Sequence, residues 1–460
     1  MDRINPATGE QLDPVETEDE ADVERAVERA SEVYPEWSGR RMEERQKLLA
    51  RAGDVLRENK QEYAELMTRE MGKPISGALS EVEKCAWACD HYAEKAGEYL
   101  ADEHIGTEPH ADAFVSYEPL GPVLAVMPWN YPFWQVFRFA APTLTAGNTG
   151  LLKHASNVPG CAQAIEEVFR EAGYPEGAFQ SLIVGSDLVE QVVEDDRVRA
   201  VTLTGSEGAG RAVGATAGEQ LKPSVLELGG SDPFVVLEDA DVEAAAAVGA
   251  RARTLNSGQS CIAAKRFIAV EEVYDEFLDA FVSEMEALTV GDPMEEETDI
   301  GPQAREDLMA DLHEQVEDTL SDGAELRTGG EPLDRDGFFY PPTVLTDVPR
   351  DATMSCEEVF GPAAAVYEVP DEETAVDLAN DSTYGLGGSV WTEDLDRGAR
   401  VARRIESGCV FVNELTKSDP RIPFGGVKDS GYGRELGEFG IKAFVNEKTV
   451  WVQSAADQDV

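Results

Sequence analysis

Apolar residues recur at three- and four-residue spacing among charged ones over residues 19–34, 40–70 and 75–100, and the pattern predicts helices there. From about residue 121 the periodicity changes. A short apolar run over 121–126 reads as a strand ending in the loop Pro128-Trp129-Asn130-Tyr131-Pro132, with a helix after it. Strand 150–153, helix 159–172, strand 180–184, helix 187–194 and strand 198–204 follow, and the last leads into a glycine-rich turn at 205–210 and another helix. Strands alternating with helices predict a parallel, helix-covered sheet. A second alternating set runs from Phe234 to about Val412. The tail over 441–453 reads as a helix end and a strand rich in Val, Phe and Trp, expected to pair with a strand near 112–118 or with another subunit. The 460 residues suffice for two or three domains.

Composition narrows the class of partner. Hydrophobic residues make up 42% of the chain, as in a globular protein. Asp and Glu number 91 against 39 Lys and Arg, a formal net charge of −52 with the acids scattered throughout. The bases lean towards Arg, 27 against 12 Lys. Such self-repulsion is tolerable where the Debye length falls to about 3 Å, near 1 M salt. The expectation is therefore a halophilic, solvated surface rather than an acidic partner-binding patch. Nucleic-acid and membrane binding each want a basic patch, and neither is expected. Residues 1–6 show no apolar core of a signal peptide, and the alanine-rich run 244–250 is too short to span a bilayer, so a cytoplasmic location is expected. The six cysteines (85, 89, 161, 261, 356 and 409) form no disulfide framework and are expected to be reduced. Cys85 and Cys89 stand four apart in a helical stretch without further ligands nearby; they read as packing residues, and no metal is expected.

Four short stretches could carry chemistry. Gly205-Ser206-Glu207-Gly208-Ala209-Gly210 follows a strand and opens a helix, where free backbone N–H groups suit a phosphate. Its spacing departs from the usual dinucleotide fingerprint, and such turns are often purely structural. Glu227 lies between Leu226 and Leu228 in a stretch that reads as buried. Burial raises a carboxyl pKa towards the range of a general base, whereas an exposed edge position would leave it ordinary. Gly258 precedes Cys261 in Asn256-Ser257-Gly258-Gln259-Ser260-Cys261 and lets the chain turn to present the thiol; a buried, inert cysteine is the alternative. Two prolines fix the loop that carries Asn130, whose amide could donate to a developing oxyanion or simply form a turn.

Together these stretches closely resemble the aldehyde dehydrogenase superfamily over essentially the whole chain. The resemblance extends to Gly147-Asn148, Lys153, Glu357-Glu358-Val359-Phe360-Gly361-Pro362 and residues 423–431. Residues 153–158 and 227–234 resemble the short-chain succinate-semialdehyde dehydrogenases. The fold this implies is α/β: two parallel-sheet α/β domains plus a small β oligomerisation element. Residues 1–108 and 121–228 would form a cofactor-binding domain, 229–435 a catalytic domain, and 109–120 with 436–460 the oligomerisation element of a homodimer or homotetramer. The resemblance further implies NAD or NADP as cofactor and a small aldehyde as substrate. Cys261 would be the nucleophile, with Asn130 and the Cys261 N–H as oxyanion hole and Glu227 activating the hydrolytic water. Lys153 and Glu358 would hold ribose hydroxyls, Ser206 the pyrophosphate, and Phe360 would pack near the nicotinamide ribose. Pro128, Trp129, Ser156, Gly205, Gly210 and Leu228 complete the cofactor set. Strongly NAD-selective relatives carry an acid where Ser156 stands, so NADP is expected to be accepted.

Arg138 lies eight residues after Asn130 on the following helix, about 12 Å along its axis at 1.5 Å per residue. An Arg fork there suits the carboxylate of a four-carbon aldehyde, unless a structural acid claims it. Some relatives carry a second Arg where this chain has Leu255, and Arg421 is the expected substitute. Succinate semialdehyde is thus the first expectation, with 2-oxoglutarate semialdehyde or glycolaldehyde as alternatives. A catalytically inactive member would lack the nucleophile, base or oxyanion donor, and all three are present. An acylating or phosphorylating enzyme would pass the thioester to coenzyme A or phosphate, and Glu227 argues for water instead.

Overall fold

In the computed structural model, which describes residues 1–107 and 111–453, two large sheets and one small one organise the chain. The parts of the expected oligomerisation element at 109–110 and 454–460 lie outside the described residues. In the first large sheet the strand order is Gly431–Tyr432, Ser224–Glu227, Ala200–Thr204, Pro122–Met127, Thr149–His154, Phe179–Ser181. All neighbours run parallel except the first pair. Both faces are buried, because successive strand side chains point oppositely. Val123 and Ala125 join one apolar cluster with the helices Met42–Glu58, Ile75–Tyr99 and Trp134–Ala146. Leu124, between them, joins the other cluster with Glu20–Ser38, Val189–Glu194 and Glu207–Glu219.

The second large sheet runs Glu325–Thr328, Thr343–Thr346, Ala363–Val369, Ala264–Val270, Asp232–Val236, Ser389–Trp391, Phe411–Val412, with only the first pair antiparallel. Its core includes Phe234, Phe267, Phe277 and Phe281, and the rings of Phe267 and Phe281 lie 4.4 Å apart. In the small sheet Val445–Gln453 pairs antiparallel with Ala111–Pro119 along its whole length, and Glu103–Ile105 pairs with the other edge. The tail strand thus pairs within its own chain with the segment near 112–118.

Two helical expectations change in detail. The stretch 40–70 is two helices, Met42–Glu58 and Lys60–Met71. Asn59 breaks them, its side-chain amide donating to the Val55 carbonyl at 3.1 Å, as a short polar side chain tends to do at a helix end. The strand expected over 180–184 is only Phe179–Ser181. The segment before residue 435 also crosses back to the first sheet. Gly431, at φ +102°, pairs with Glu227, and Ser430 Oγ donates to the Gly229 carbonyl at 2.6 Å. Residues at both ends of the second sheet's span therefore reach the carboxyl ends of the first.

In the first sheet, Pro122–Met127 leads one way to Thr149–His154 and Phe179–Ser181, while Ala200–Thr204 returns to its other side. The strand order reverses between Pro122–Met127 and Ala200–Thr204. The crevice outside the carboxyl ends of strands at such a switch point is where open α/β sheets bind ligands.

Candidate active site

Each strand at the switch point delivers one loop to the crevice. Pro122–Met127 runs into the loop that carries Asn130, and three buried groups brace that loop. His154 Nε2 bonds the Pro132 carbonyl at 2.9 Å and its Nδ1 accepts from Ala155 N at 2.9 Å, an arrangement that fits a neutral ring. Burial holds the His154 pKa down at about 4, so the ring stays neutral at physiological pH. Glu81, from the helix Ile75–Tyr99, accepts from the N–H groups of Phe133 and Trp134, both at 2.9 Å, where the next helix begins. Its other oxygen is ion-paired to buried Lys73, whose ammonium lies 3.7 Å from the centre of the Tyr131 ring.

The Cys261 loop joins the helix Val242–Thr254 to the strand Ala264–Val270. Asn256, Ser257 and Gly258 all have positive φ, at +56°, +57° and +76°. For the two non-glycine residues that conformation costs of order 1–3 kcal/mol each. Surrounding bonds fix it. Asn256 Nδ2 donates to the Asn130 carbonyl at 2.8 Å, Ser257 Oγ accepts from Gly301 N at 2.9 Å, and Arg253 Nη2 donates to the Gly258 carbonyl at 2.8 Å. A side chain at 258 would strike the Gly361 backbone at 2.2 Å, so glycine is required there on both counts. Asn130 Nδ2 donates to the Gln259 carbonyl at 3.1 Å, which leaves its second proton beside the Cys261 loop.

Burial is the main reason the Cys261 thiol is pushed up to about 12; Glu358 adds to the effect, while Arg138 and Lys265 oppose it. Glu227 is buried, and among the described residues neither carboxyl oxygen has a hydrogen-bond partner. Burial and then the neighbouring Glu435 carboxyl raise its pKa well above the usual range, against Arg138 and Arg434. A carboxyl with a raised pKa is a stronger base once it has lost its proton, which suits it to taking one from water. Cys261 and Arg138 both line a cavity of about 510 Å³, with Glu81, Lys84, Trp134, Ser418 and Phe424 among the other walls.

Beyond the crevice the helix Glu207–Glu219 begins at Ser206, whose Oγ accepts from Ala209 N at 3.4 Å. The N–H groups of Glu207 and Gly208 have no intrahelical acceptor, and the space beside Gly208 is open. Lys153, at the end of Thr149–His154, is buried and makes no hydrogen bond or ion pair among the described residues. An orphaned cation near a free helix N-terminus fits the phosphates and ribose of a dinucleotide. Ser156 is exposed in the turn after Lys153, and no carboxylate occupies that position. Phe360 packs edge-on against Trp129, with centroids 5.6 Å apart. Glu358 accepts from Gly230 N at 3.0 Å and lies 3.7 Å from Lys265. Gly210 and Leu228 contact one another: a side chain at 210 would meet Leu228 at 2.5 Å, so glycine lets the helix close on the sheet.

The sequence pattern of the aldehyde dehydrogenase family matches residues 1–450. The chain belongs to the aldehyde dehydrogenase family. It is an NAD(P)-dependent oxidoreductase of aldehydes. This dehydrogenase is 52% identical over 449 residues to a probable succinate-semialdehyde dehydrogenase [NADP(+)] of Synechocystis sp., covering 98% of this chain and 99% of that one. It is 49% identical over 459 residues to the succinate-semialdehyde dehydrogenase [NADP(+)] of Mycobacterium avium, covering 99% and 97%. Among solved structures it superposes on the succinic semialdehyde dehydrogenase of Streptococcus pyogenes in complex with NADP+ with a TM-score of 0.96. That pair shares 39% identity, over 98% of this chain and 100% of that one.

One expected substrate contact is corrected. Arg421 does not line the dehydrogenase's cavity. Its side chain is 65% exposed and forks onto Asp419 at 2.9 and 2.6 Å, because an acid two residues away captures it locally. Leu255 does line the cavity; the second guanidinium on its wall is that of exposed Arg251, not Arg421. Several groups of the site had not been anticipated. Lys265 is fully buried and donates to the carbonyls of Ser260, Cys261 and Ala263 at 3.1, 2.8 and 3.2 Å, gripping the loop of the candidate nucleophile. Arg253, Glu81, His154, Lys84 and Glu435 were missed as well. Charged residues in helices and strands read as surface, and only the fold turns these inwards.

Proposed function

We propose that this dehydrogenase oxidises succinate semialdehyde to succinate and accepts NADP. The single observation that carries the substrate is a cavity holding Cys261 and a buried Arg138 together. Glu435 pairs with that guanidinium, so the carboxylate reading rests on the nitrogen the pair leaves free and not on burial alone. The names of the Synechocystis and Mycobacterium relatives support the same substrate.

In this reading Cys261 Sγ, once deprotonated, bonds to the aldehyde carbon, and the carbonyl oxygen gains negative charge. Asn130 Nδ2 and the Cys261 N–H stabilise that oxyanion. Lys153, Glu358 and the amides after Ser206 hold the dinucleotide, and the chemistry it supplies when bound is acceptance of a hydride. Collapse of the tetrahedral carbon leaves a thioester on Cys261. Glu227 draws a proton from water, the hydroxide adds to the thioester carbon, and the Cys261 sulfur leaves with succinate released. Arg138 has Nη1 available for the far carboxylate, since its Nε faces Glu435 and its Nη2 donates to Thr204.

Ser156 supports use of NADP, because it is neutral and exposed where an acid would repel a 2′-phosphate. The three-stranded sheet supports a homo-oligomer, for Trp451 and Val452 on its edge strand are half exposed and apolar. The test is absorbance at 340 nm with a panel of aldehydes and both cofactors. Succinate semialdehyde with NADP should give the highest kcat/KM. A higher value for butanal or glycolaldehyde would refute the substrate assignment.

A further inference from the structure

The loop of the candidate nucleophile hangs on one buried cation. Lys265 stands second in the strand Ala264–Val270, four residues after Cys261, and its side chain is fully buried. Its Nζ donates to the carbonyls of Ser260, Cys261 and Ala263 at 3.1, 2.8 and 3.2 Å. Three acceptors take three protons, so the side chain is the charged ammonium and each of its donors is used. Burial pulls its pKa down, while the Glu358 carboxylate, 3.7 Å away, pulls it back up. A buried ammonium is a costly way to satisfy three carbonyls, because neutral N–H groups would do so without desolvating a charge. What the charge adds is a stronger and more directed pull on each peptide it touches.

The Ser260 carbonyl is the one that bears on the chemistry. It belongs to the same peptide group as the Cys261 N–H, the proposed oxyanion donor. That peptide is trans and planar, so its C=O and N–H point in opposite directions. Ala263 N donates to the same oxygen at 3.1 Å, so both of its lone pairs are held. Fixing the oxygen fixes the direction of the N–H. A cation on the oxygen also draws electron density through the amide and makes the N–H a stronger donor. The preceding peptide is held by the other donor of the pair, for Asn130 Nδ2 donates to the Gln259 carbonyl at 3.1 Å. The two oxyanion donors are thus anchored on adjacent peptides, one through an amide and one through an ammonium.

We infer that Lys265 is a positioning residue for the oxyanion: through the Ser260 carbonyl its ammonium aims and polarises the Cys261 N–H. Lys265 does not line the cavity and acts through that peptide alone. The inference rests on the thioester reading and is independent of which aldehyde is oxidised. The oxyanion forms twice. It forms when the Cys261 sulfur bonds to the aldehyde carbon and the C=O π pair moves to oxygen, and again when hydroxide adds to the thioester carbon. Both steps therefore need Lys265, whereas Glu227 serves only the second.

The test compares wild-type enzyme with K265M and K265Q, using succinate semialdehyde and butanal at saturating NADP. First-turnover reduction of the cofactor is followed at 340 nm beside the steady state, and alkylation of Cys261 by iodoacetamide is measured on the same proteins. Alkylation needs the thiolate but no oxyanion, so it isolates the effect of the charge on the thiol. In K265M the first-turnover rate and kcat should both fall about 10- to 100-fold, by one factor for both aldehydes and with KM little changed. Alkylation at the same pH should slow by a smaller factor. Equal slowing of alkylation and first turnover would overturn the inference, since Lys265 would then act on the thiol alone. An unchanged first-turnover rate with a lowered melting temperature would overturn it too, leaving Lys265 a structural role. Continued turnover by Cys261→Ala would sink the thioester reading itself, whatever the Lys265 variants do. If K265M fails to fold, K265Q carries the same test, since its amide can still donate to a carbonyl without the charge.

Discussion

The buried guanidinium of Arg138 is ion-paired with the buried carboxylate of Glu435. The Phe424 ring covers the guanidinium at 4.8 Å. The residue proposed to hold the substrate is thus also half of an internal pair, and the two roles can be separated. Arg138→Leu leaves Glu435 uncompensated and should cost about 3–5 kcal/mol of stability. The double variant Arg138→Leu, Glu435→Leu should recover much of that stability without recovering selectivity for succinate semialdehyde. Thermal unfolding and kcat/KM for two aldehydes check both halves. Recovery of selectivity in the double variant would remove Arg138 from the substrate site.

Among the described residues Glu227 has no hydrogen-bond partner for either oxygen, so Glu227→Gln should fit with little rearrangement. Acylation should then proceed and hydrolysis stall. The expected result is a burst of reduced cofactor equal to the active sites, followed by a steady state at least about 100-fold slower. Cys261→Ala should show no burst, yet still bind NADP. A normal steady state in Glu227→Gln would exclude it as the base.

Burial keeps Cys261 protonated at neutral pH, with its pKa pushed up to about 12. For an acid with a raised pKa the reactive thiolate is scarce at pH 7 and grows about tenfold for each unit below that value. Inactivation of the cofactor-free enzyme by iodoacetamide should therefore quicken about 100-fold from pH 7 to 9, with Cys261 as the alkylated residue by mass spectrometry. A flat profile would mean that the thiolate is already formed.

Ser156→Asp places a carboxylate three residues after buried Lys153. Its charge should repel a 2′-phosphate and lower kcat/KM for NADP by at least about tenfold, while NAD loses little. Equal losses with both cofactors would dissociate residue 156 from cofactor choice.

The net charge of −52 should make folding and activity depend on salt. Dilution from molar to about 10 mM salt lengthens the Debye screening from about 3 to about 30 Å and restores repulsion among surface carboxylates. The melting temperature should fall and activity with it. Unchanged melting in dilute buffer would refute the halophilic reading.

The sequence by itself determined the alternation of strands and helices, the loops holding Asn130 and Cys261, and the turn at Ser206. These are local: glycines and prolines fix backbone conformation, and hydrophobic periodicity sets which element forms. It also carried Glu227, since a lone acid between leucines announces burial. Tertiary structure decided what the other charges do. Lys265 and Arg266 are adjacent on one strand and look like an exposed pair, yet both are fully buried and spend their protons on carbonyls on opposite sides. The pairing of Arg138 with Glu435 spans nearly 300 residues, and among the described residues Lys84 makes no ion pair while Glu81 and Asp419 hold Lys73 and Arg421. Spacing along a chain cannot state such partnerships, because a long side chain goes to whatever charge or carbonyl the packed elements bring within about 3 Å of it. Arg421 marks the same boundary: in sequence it could reach the substrate, and in the fold an aspartate two residues away holds it.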